Sequence, residues 1–153
     1  MKGYDMNEVK AQDYVEILNL YARYNRCSDA GDAYGYADCF SSNGRLDTVT
    51  PGPSVSISGR ENFAAFKTRE AAGRQHIYRR HWNGSIHLES VDDQTVIGHA
   101  YFLAYNGTPG QLPTIADSGV YKDRIVKEAG SWKFEHRHLT LDNRSAAVEQ
   151  KSP

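Results

Sequence analysis

From Asn7 to Ala30 the apolar positions return with the period of an α-helix. At about 100° per residue, Tyr14, Ile17, Leu18, Tyr21, Tyr24, Asn25, Ser28 and Asp29 fall within an arc of roughly 140°. Glu16, Asn19, Arg23 and Arg26 occupy the opposite side. Gly31 follows the last periodic residue and supplies the left-handed position that ends many helices. The inward stripe changes character along its length. It starts apolar and finishes with a phenol, an amide, a hydroxyl and a carboxylate. A helix that floors a ligand pocket has a use for that change. A plainer reading stands beside it, with Asp29 a solvated last-turn residue and Tyr24 a core-edge tyrosine with a wet hydroxyl.

Asp32 can cap a second, short helix over Ala33–Phe40, with Tyr36, Ala37 and Phe40 facing in. Ser41-Ser42-Asn43-Gly44 reads as a turn. Arg45–Val49 is a short strand, Thr50–Pro53 breaks it, and Val55–Ser58 resumes extended structure. A third helix covers Asn62–Gly73, with Phe63 and Phe66 packing. From Arg79 the period falls from 3.6 to 2. Strands are predicted at Ser85–Ser90, Thr95–Tyr105, Ile115–Lys127 and Ser131–Leu141, with Val91-Asp92-Asp93-Gln94 as a turn. In the second of these, Thr95, Ile97, His99, Tyr101, Leu103 and Tyr105 share a face. In the third, Gly119, Tyr121, Asp123 and Ile125 do. In the last, Trp132, Phe134, His136 and His138 share parity. Residues 1–6 read as a loose start and 143–153 as a polar tail. Helices followed by an antiparallel meander give an α+β fold. Long curved strands wrapped over a long helix enclose a cone-shaped α+β barrel whose open end is a natural pocket. The expectation is one domain over residues 1–142.

Composition narrows the function. The chain has 153 residues, 39% apolar and 24% charged, with a net charge of −1. That suits a soluble globular domain and leaves no basic footprint for nucleic acid. No apolar run approaches the ~20 residues needed to cross a bilayer. The first residues lack the apolar segment of a secretory signal. Two cysteines, Cys27 and Cys39, make neither a disulfide framework nor a zinc spacing, so a reducing cytoplasm is the expected compartment. Neither a Gly-x-Ser-x-Gly elbow nor a glycine-rich phosphate loop is present.

Several short stretches resemble, in order and spacing, the SnoaL-like branch of the superfamily that includes nuclear transport factor 2, ketosteroid isomerase and scytalone dehydratase. They are Ile17-Leu18-x-Leu20-Tyr21, Asp29-x-Gly31-Asp32, Phe40-x-x-Asn43-Gly44 and Gly59. They continue with Arg80-His81-Trp82-Asn83, Gly119-x-Tyr121-x-Asp123 and Gly130-x-Trp132-Lys133-Phe134 leading to Arg137. The resemblance spans roughly residues 10–142, and its fold hosts enzymes, binding domains and scaffolds alike. It implies a catalytic Asp at the end of the first helix, here Asp29, and a His on the segment entering the sheet, here His81. Tyr24 corresponds to the tyrosine of the bile-acid dehydratase type of site and of the isomerase oxyanion hole. The isomerase's general-base Asp would fall near Thr48, one residue from Asp47, which departs from that pattern. The arginine of a related dehydrochlorinase is not clearly matched by Arg124 or Lys127. The resemblance also implies cofactor-free chemistry and a homodimer or higher homo-oligomer built on the outer face of the sheet.

Imidazole with an unperturbed pKa near 6.5 can accept a proton at neutral pH, and a carboxylate on its other nitrogen fixes the tautomer. His81, Asp29 and Tyr24 are therefore the candidate catalytic residues, with Tyr24 as hydrogen-bond donor to developing negative charge. His81 also has a plainer reading as a strand residue bonded to backbone. Asn25, His99, Tyr101 and Tyr121 are the candidate substrate-binding residues. His76 and His87 are expected at the surface. Asp123 either projects into the cone or pairs with Arg137 on the neighbouring strand. His136 and His138 either line a second pocket or face a subunit partner. They could also supply two metal ligands, but no Cys or carboxylate spacing accompanies them, and no metal or cofactor is expected. These residues together suit a cofactor-independent lyase or isomerase, dehydratase-like, acting on a small hydrophobic, cyclic substrate. A polyketide cyclase and a non-catalytic small-molecule-binding or oligomerisation domain are the alternatives.

Overall fold

Helix α1 runs from Ala11 to Ala30 in the computed structural model, which describes residues 8–143. Asn7, the loose start and the tail beyond Asn143 lie outside the described residues. The helix stops where a glycine is needed. Gly31 sits at φ 72°, and the Asp32 N–H donates back to the Cys27 carbonyl at 2.9 Å, satisfying a last-turn acceptor. The buried stripe is Ile17, Leu20, Tyr21, Tyr24, Asn25 and Ser28. It is rotated relative to expectation: Leu20 is in the core and Tyr14 is exposed. Asp13 pins the start of the helix to the sheet by accepting from Lys127 Nζ and Trp132 Nε1. Asp32 then caps α2, Ala33–Ala37, by accepting from the Gly35 N–H at 2.9 Å. This helix ends short of the expected Phe40, because Phe40 already begins a strand.

Strands β1 (Phe40–Val49), β2 (Val55–Ser58), β3 (Tyr78–Asp92), β4 (Thr95–Gly107), β5 (Thr114–Glu128) and β6 (Ser131–Leu141) form one open sheet, with α3 (Arg60–Ala72) between β2 and β3. The order is β2-β1-β6-β5-β4-β3, and only β1 and β6 pair in parallel. Helices packed on this mixed, mostly antiparallel sheet give the expected α+β cone, without closure into a barrel. The turn expected at Ser41–Gly44 is instead an irregularity inside β1. The register against β6 slips between Phe40 and Arg45, and the Glu128 carboxylate accepts from both the N–H and the hydroxyl of Ser42.

Two bulges decide which side chains enter the cone. In β3 the register against β4 shifts between Gly84 and His87, and Ser85 adopts φ 49°. Before the bulge Arg79, His81 and Asn83 turn inward; after it Leu88 does. In β6 the register against β5 shifts at Glu135, between Phe134 and His136. Phe134 faces in, and so do Arg137, Leu139 and Leu141. The expected shared parity of Trp132, Phe134, His136 and His138 is therefore broken, and both histidines turn to the outer face.

Strand β4 is corrected in the same sense. Its inward residues are Val96, Gly98, Ala100, Phe102 and Ala104, while His99 and Tyr101 point away from the cone. The reason is crowding by α1. A Cβ on Gly98 would lie 2.5 Å from the Tyr21 hydroxyl, so small residues must face the helix here. Tyr21 uses that space to donate to Asp123 at 2.6 Å. Asp123 also accepts two bonds from Arg137 at 3.1 Å. This fully buried pair is boxed in by rings, with the guanidinium 3.8 Å from the Tyr121 centroid, 4.0 Å from Phe134 and 4.2 Å from Tyr24. Burial works against the Arg137 charge, but Asp123 and the phenols outweigh it and hold the guanidinium above its ordinary value. Of the two readings of Asp123, the pairing with Arg137 is the one observed.

Candidate active site in the cone

The last turn of α1 and the first residues of β3 meet at one point. The His81 backbone N–H donates to Asp29 Oδ2 at 3.1 Å, and His81 Nδ1 lies 2.5 Å from Asp29 Oδ1. Both carboxylate oxygens thus grip one residue, and the ring cannot swing. On the other side, Arg79 Nε donates to His81 Nε2 at 3.3 Å. A guanidinium only donates, so Nε2 must carry the lone pair and Nδ1 the proton. The pair is a neutral Nδ1–H imidazole bonded to a carboxylate. Phe102 stacks on the ring at 5.6 Å. Burial depresses the His81 pKa below its usual value. Arg79 and Lys67 add to that against the opposing pull of Asp29, so the ring stays neutral at pH 7.

His81 opens onto a cavity of about 590 Å³. Tyr24, Ser28 and Tyr36 from the first two helices form its floor. Leu46, Thr48, Leu139 and Leu141 supply an apolar wall, and Tyr121 and Phe102 another. Tyr24 and Tyr36 share a hydrogen bond of 2.9 Å between their hydroxyls. Tyr121 also hydrogen-bonds to Tyr24, so three phenols are linked beside the cavity and one phenolic proton is left over for a ligand. Burial, and then the neighbouring Tyr36, pushes the Tyr24 pKa well above its usual value, so this group is a donor and never a base.

Tyr24 and Tyr121 are on the cavity as expected, and Asp29 stands directly behind His81. Three of the candidate substrate-binding residues are not. Asn25 is absent from the lining, and its amide nitrogen donates to Asn83 Oδ1 at 2.8 Å, tying α1 to β3. His99 and Tyr101 lie on the outer face because β4 turns its small residues toward α1; Tyr101 is 63% exposed. Thr48 lines the cavity whereas Asp47 faces outward.

Six charged residues in the lining, Lys67, Arg69, Glu70, Arg74, Arg79 and Asp117, escaped the sequence reading. Lys67 and Glu70 come from α3 and form a close ion pair; Lys67 also donates to Ser28 Oγ at 2.8 Å and lies 4.4 Å from the Tyr36 ring centroid. Burial would raise the Glu70 pKa, but Lys67 and Arg74 overcome it and hold the carboxylate down at about 2. Arg79 pairs closely with Asp117. Arg79 lies two residues before His81 on the same strand face, a spacing that marks it as a neighbour of the histidine. Cys27 has no role here: burial, with Cys39 and Asp32, pushes its thiol up to about 11.

Helices on an open, curved, mixed sheet with a pocket between them define the class of cone-shaped α+β proteins with a nuclear transport factor 2-like, cystatin-like fold. An NTF2-like protein of that fold from Novosphingobium aromaticivorans superposes with a TM-score of 0.70, at 20% identity over 91% of this chain and 88% of that one. Within that class the chain belongs to the SnoaL-like domain family, whose sequence profile matches residues 9–138. A protein from Catenulispora acidiphila, solved in complex with S-DNPA, is 27% identical with a TM-score of 0.74, covering 88% of this chain and 97% of its own. ActVI-ORFA from Streptomyces coelicolor is 25% identical with a TM-score of 0.76, covering 86% and 98%. No curated protein matches the chain in sequence. Among the described residues no helix is long and apolar enough to cross a membrane.

Proposed function

We propose that this protein is a cofactor-independent lyase or isomerase of dehydratase type, acting on a small hydrophobic, cyclic substrate. The observation that carries this reading is the Asp29–His81 contact of 2.5 Å, made by a histidine that lines the cavity. His81 Nε2 takes a proton from carbon next to a carbonyl, displacing the long bond from Arg79. Asp29 stabilises the imidazolium that forms. The free hydroxyl proton of the linked Tyr24, Tyr36 and Tyr121 phenols meets the carbonyl oxygen as it gains charge. The imidazolium then returns its proton to a leaving hydroxyl, releasing water, or to a second carbon, moving the double bond. A positioned base of this kind contributes roughly 10²–10⁴-fold, about 3–5 kcal/mol of barrier. A cavity of about 590 Å³ fits one small molecule, and its apolar walls favour a hydrophobic ring. The relative solved with S-DNPA supports small-molecule binding as the common theme.

The same groups would serve a polyketide cyclase, and product analysis separates the two. A purely binding or scaffolding domain would have Asp29 and His81 apart, or a cone filled by Tyr101, Tyr105 and Tyr121. Neither Tyr101 nor Tyr105 is among the cavity-lining residues, which favours an enzyme. The test is turnover of a panel of cyclic β-hydroxyketones, followed by the ultraviolet absorption of the conjugated enone. His81→Ala and Asp29→Asn, checked for folding by circular dichroism, should each slow it by ~100-fold or more. Folded variants with wild-type turnover would remove the pair from the mechanism.

We also infer a homodimer through the outer face of the sheet. Trp82, Tyr101, Val120 and Ile115 are all exposed apolar residues of β3–β5, and Tyr101 pairs directly with Val120. Such a strip marks an association surface. Light scattering that finds a monomer would defeat this inference. The free thiols of Cys27 and Cys39 fit the cytoplasm as the working compartment.

A further inference from the structure

We propose that Asp47, His136 and His138 form a transition-metal site on the outer face of the sheet, remote in role from the cone. The potential ligand atoms of these residues lie within 4.8 Å of one another. Asp47 and His138 are direct partners in the parallel β1–β6 ladder, with Arg45 and His136 the next partners on the same face. His136 Nε2 is already 2.7 Å from Asp47 Oδ2. The Glu135 bulge creates the cluster, since it turns both histidines away from the core and over β1.

The donor set selects the ion. Calcium and magnesium ask for six or more oxygens, which two imidazoles and one carboxylate do not provide. Two imidazoles with a carboxylate suit Zn²⁺, Co²⁺, Ni²⁺ or Cu²⁺. With metal–ligand bonds of about 2.0–2.2 Å, the ligand atoms of a tetrahedral site sit roughly 3.3–3.5 Å apart. Reaching that spacing requires the Asp47–His136 contact to open and His138 to close in. All three side chains are partly exposed; Arg45 and Ser56 hold Asp47, so the two histidines make that adjustment. Arg45 Nε lies 2.9 Å from both Asp47 oxygens and holds the carboxylate in place, the usual task of an outer partner.

The surrounding charge sets the strength. Lys122 and Arg124 on β5 lie opposite His138 and His136 in the ladder, and Arg45 flanks Asp47. Arg124 is held by Glu135 at 2.7 Å. These cations weaken the attraction for a free metal ion and favour an anion as fourth ligand. The ion would fasten β1 to β6 across the sheet's one parallel pairing, where the β1–β2 edge joins the rest.

The experiment titrates Co²⁺ and Zn²⁺ chlorides into the untagged protein, by visible absorption for cobalt and by calorimetry for zinc. One ion per chain is expected, with a rise in Tm on adding zinc. Asp47→Asn and His138→Gln, both conservative surface changes, should weaken binding roughly tenfold or more and abolish the Tm rise. His81→Ala should leave stoichiometry and affinity as in the wild type. The proposal is overturned by no stoichiometric binding, by equal affinity in the Asp47→Asn and His138→Gln variants, or by loss of binding in His81→Ala alone.

Discussion

Two histidine–carboxylate pairs of nearly equal length lie on opposite sides of one sheet. Asp29–His81 spans 2.5 Å inside the cone, and Asp47–His136 spans 2.7 Å outside it. The side chains of the first are 9% and 13% exposed for His81 and Asp29; His136 is 42% exposed. Inside, Asp29 holds the near nitrogen, Arg79 keeps the far nitrogen unprotonated, and an apolar cavity lies beyond. Outside, a second imidazole, His138, stands where the inner pair has a cavity. A pair of residues therefore does not define its own chemistry; its surroundings do. The inner arrangement suits a base, and the outer one suits a metal ion.

The severest way to break this comparison is Arg137→Met. Arg137 is the residue that the Glu135 bulge turns into the ring box, and the change leaves Asp123 buried without its partner. Breaking a buried pair in this way costs about 3–5 kcal/mol, so the Tm of the variant should fall steeply. A folded variant with unchanged Tm would show that the Arg137–Asp123 pair does not hold the inner face together.

Next in size is the kinetic contrast within the inner site. Tyr24→Phe should slow turnover less than His81→Ala does, because Tyr36 keeps a hydroxyl at the same place. The double Tyr24→Phe, Tyr36→Phe variant should approach the ~10²–10³-fold loss typical of a removed oxyanion donor. Equal losses for the single and double variants would mean that only Tyr24 donates.

The first of these residues was readable in the sequence and the second less so. The helix α1 was legible because its stripe keeps one period until Gly31. Asp29 and His81 could be paired because both sit at element boundaries that the family order preserves. The strands were legible by alternation, but not their facing. In β4 the outward positions Ile97, Tyr101, Leu103 and Tyr105 look more core-like than the true inner row of Gly98, Ala100 and Ala104. At Gly98 it is the approach of Tyr21 that explains why a small residue faces in. In β6 a single bulge reversed the parity after Phe134. The third member of the outer cluster, Asp47, lies 89 residues before His136, so no local spacing could join them. Lys67 and Glu70 were hidden because charged helix residues are ordinarily solvated, and these two satisfy each other beside the cavity.

The smallest expected effect is on stability against pH. Burial lowers the folded pKa of His81 below the unfolded value of about 6.5. The unfolded chain then binds the proton more readily. The contribution of the neutral His81 is present above about pH 6.5 and is lost as the pH falls below it. Denaturant midpoints of wild type and His81→Phe should converge on going from pH 7 toward 5. Parallel curves would mean that His81 is not held neutral by its surroundings.

The most direct test needs no substrate. Nitrogen-15 resonances of His81, assigned by comparison with His81→Ala, report its tautomer and protonation. The expected result at pH 7 is a protonated Nδ1 and a bare Nε2, with a titration midpoint below about 6.5. A doubly protonated ring at pH 7, or a proton on Nε2 with Nδ1 bare, would contradict the assignment of His81 as a base poised on the cavity.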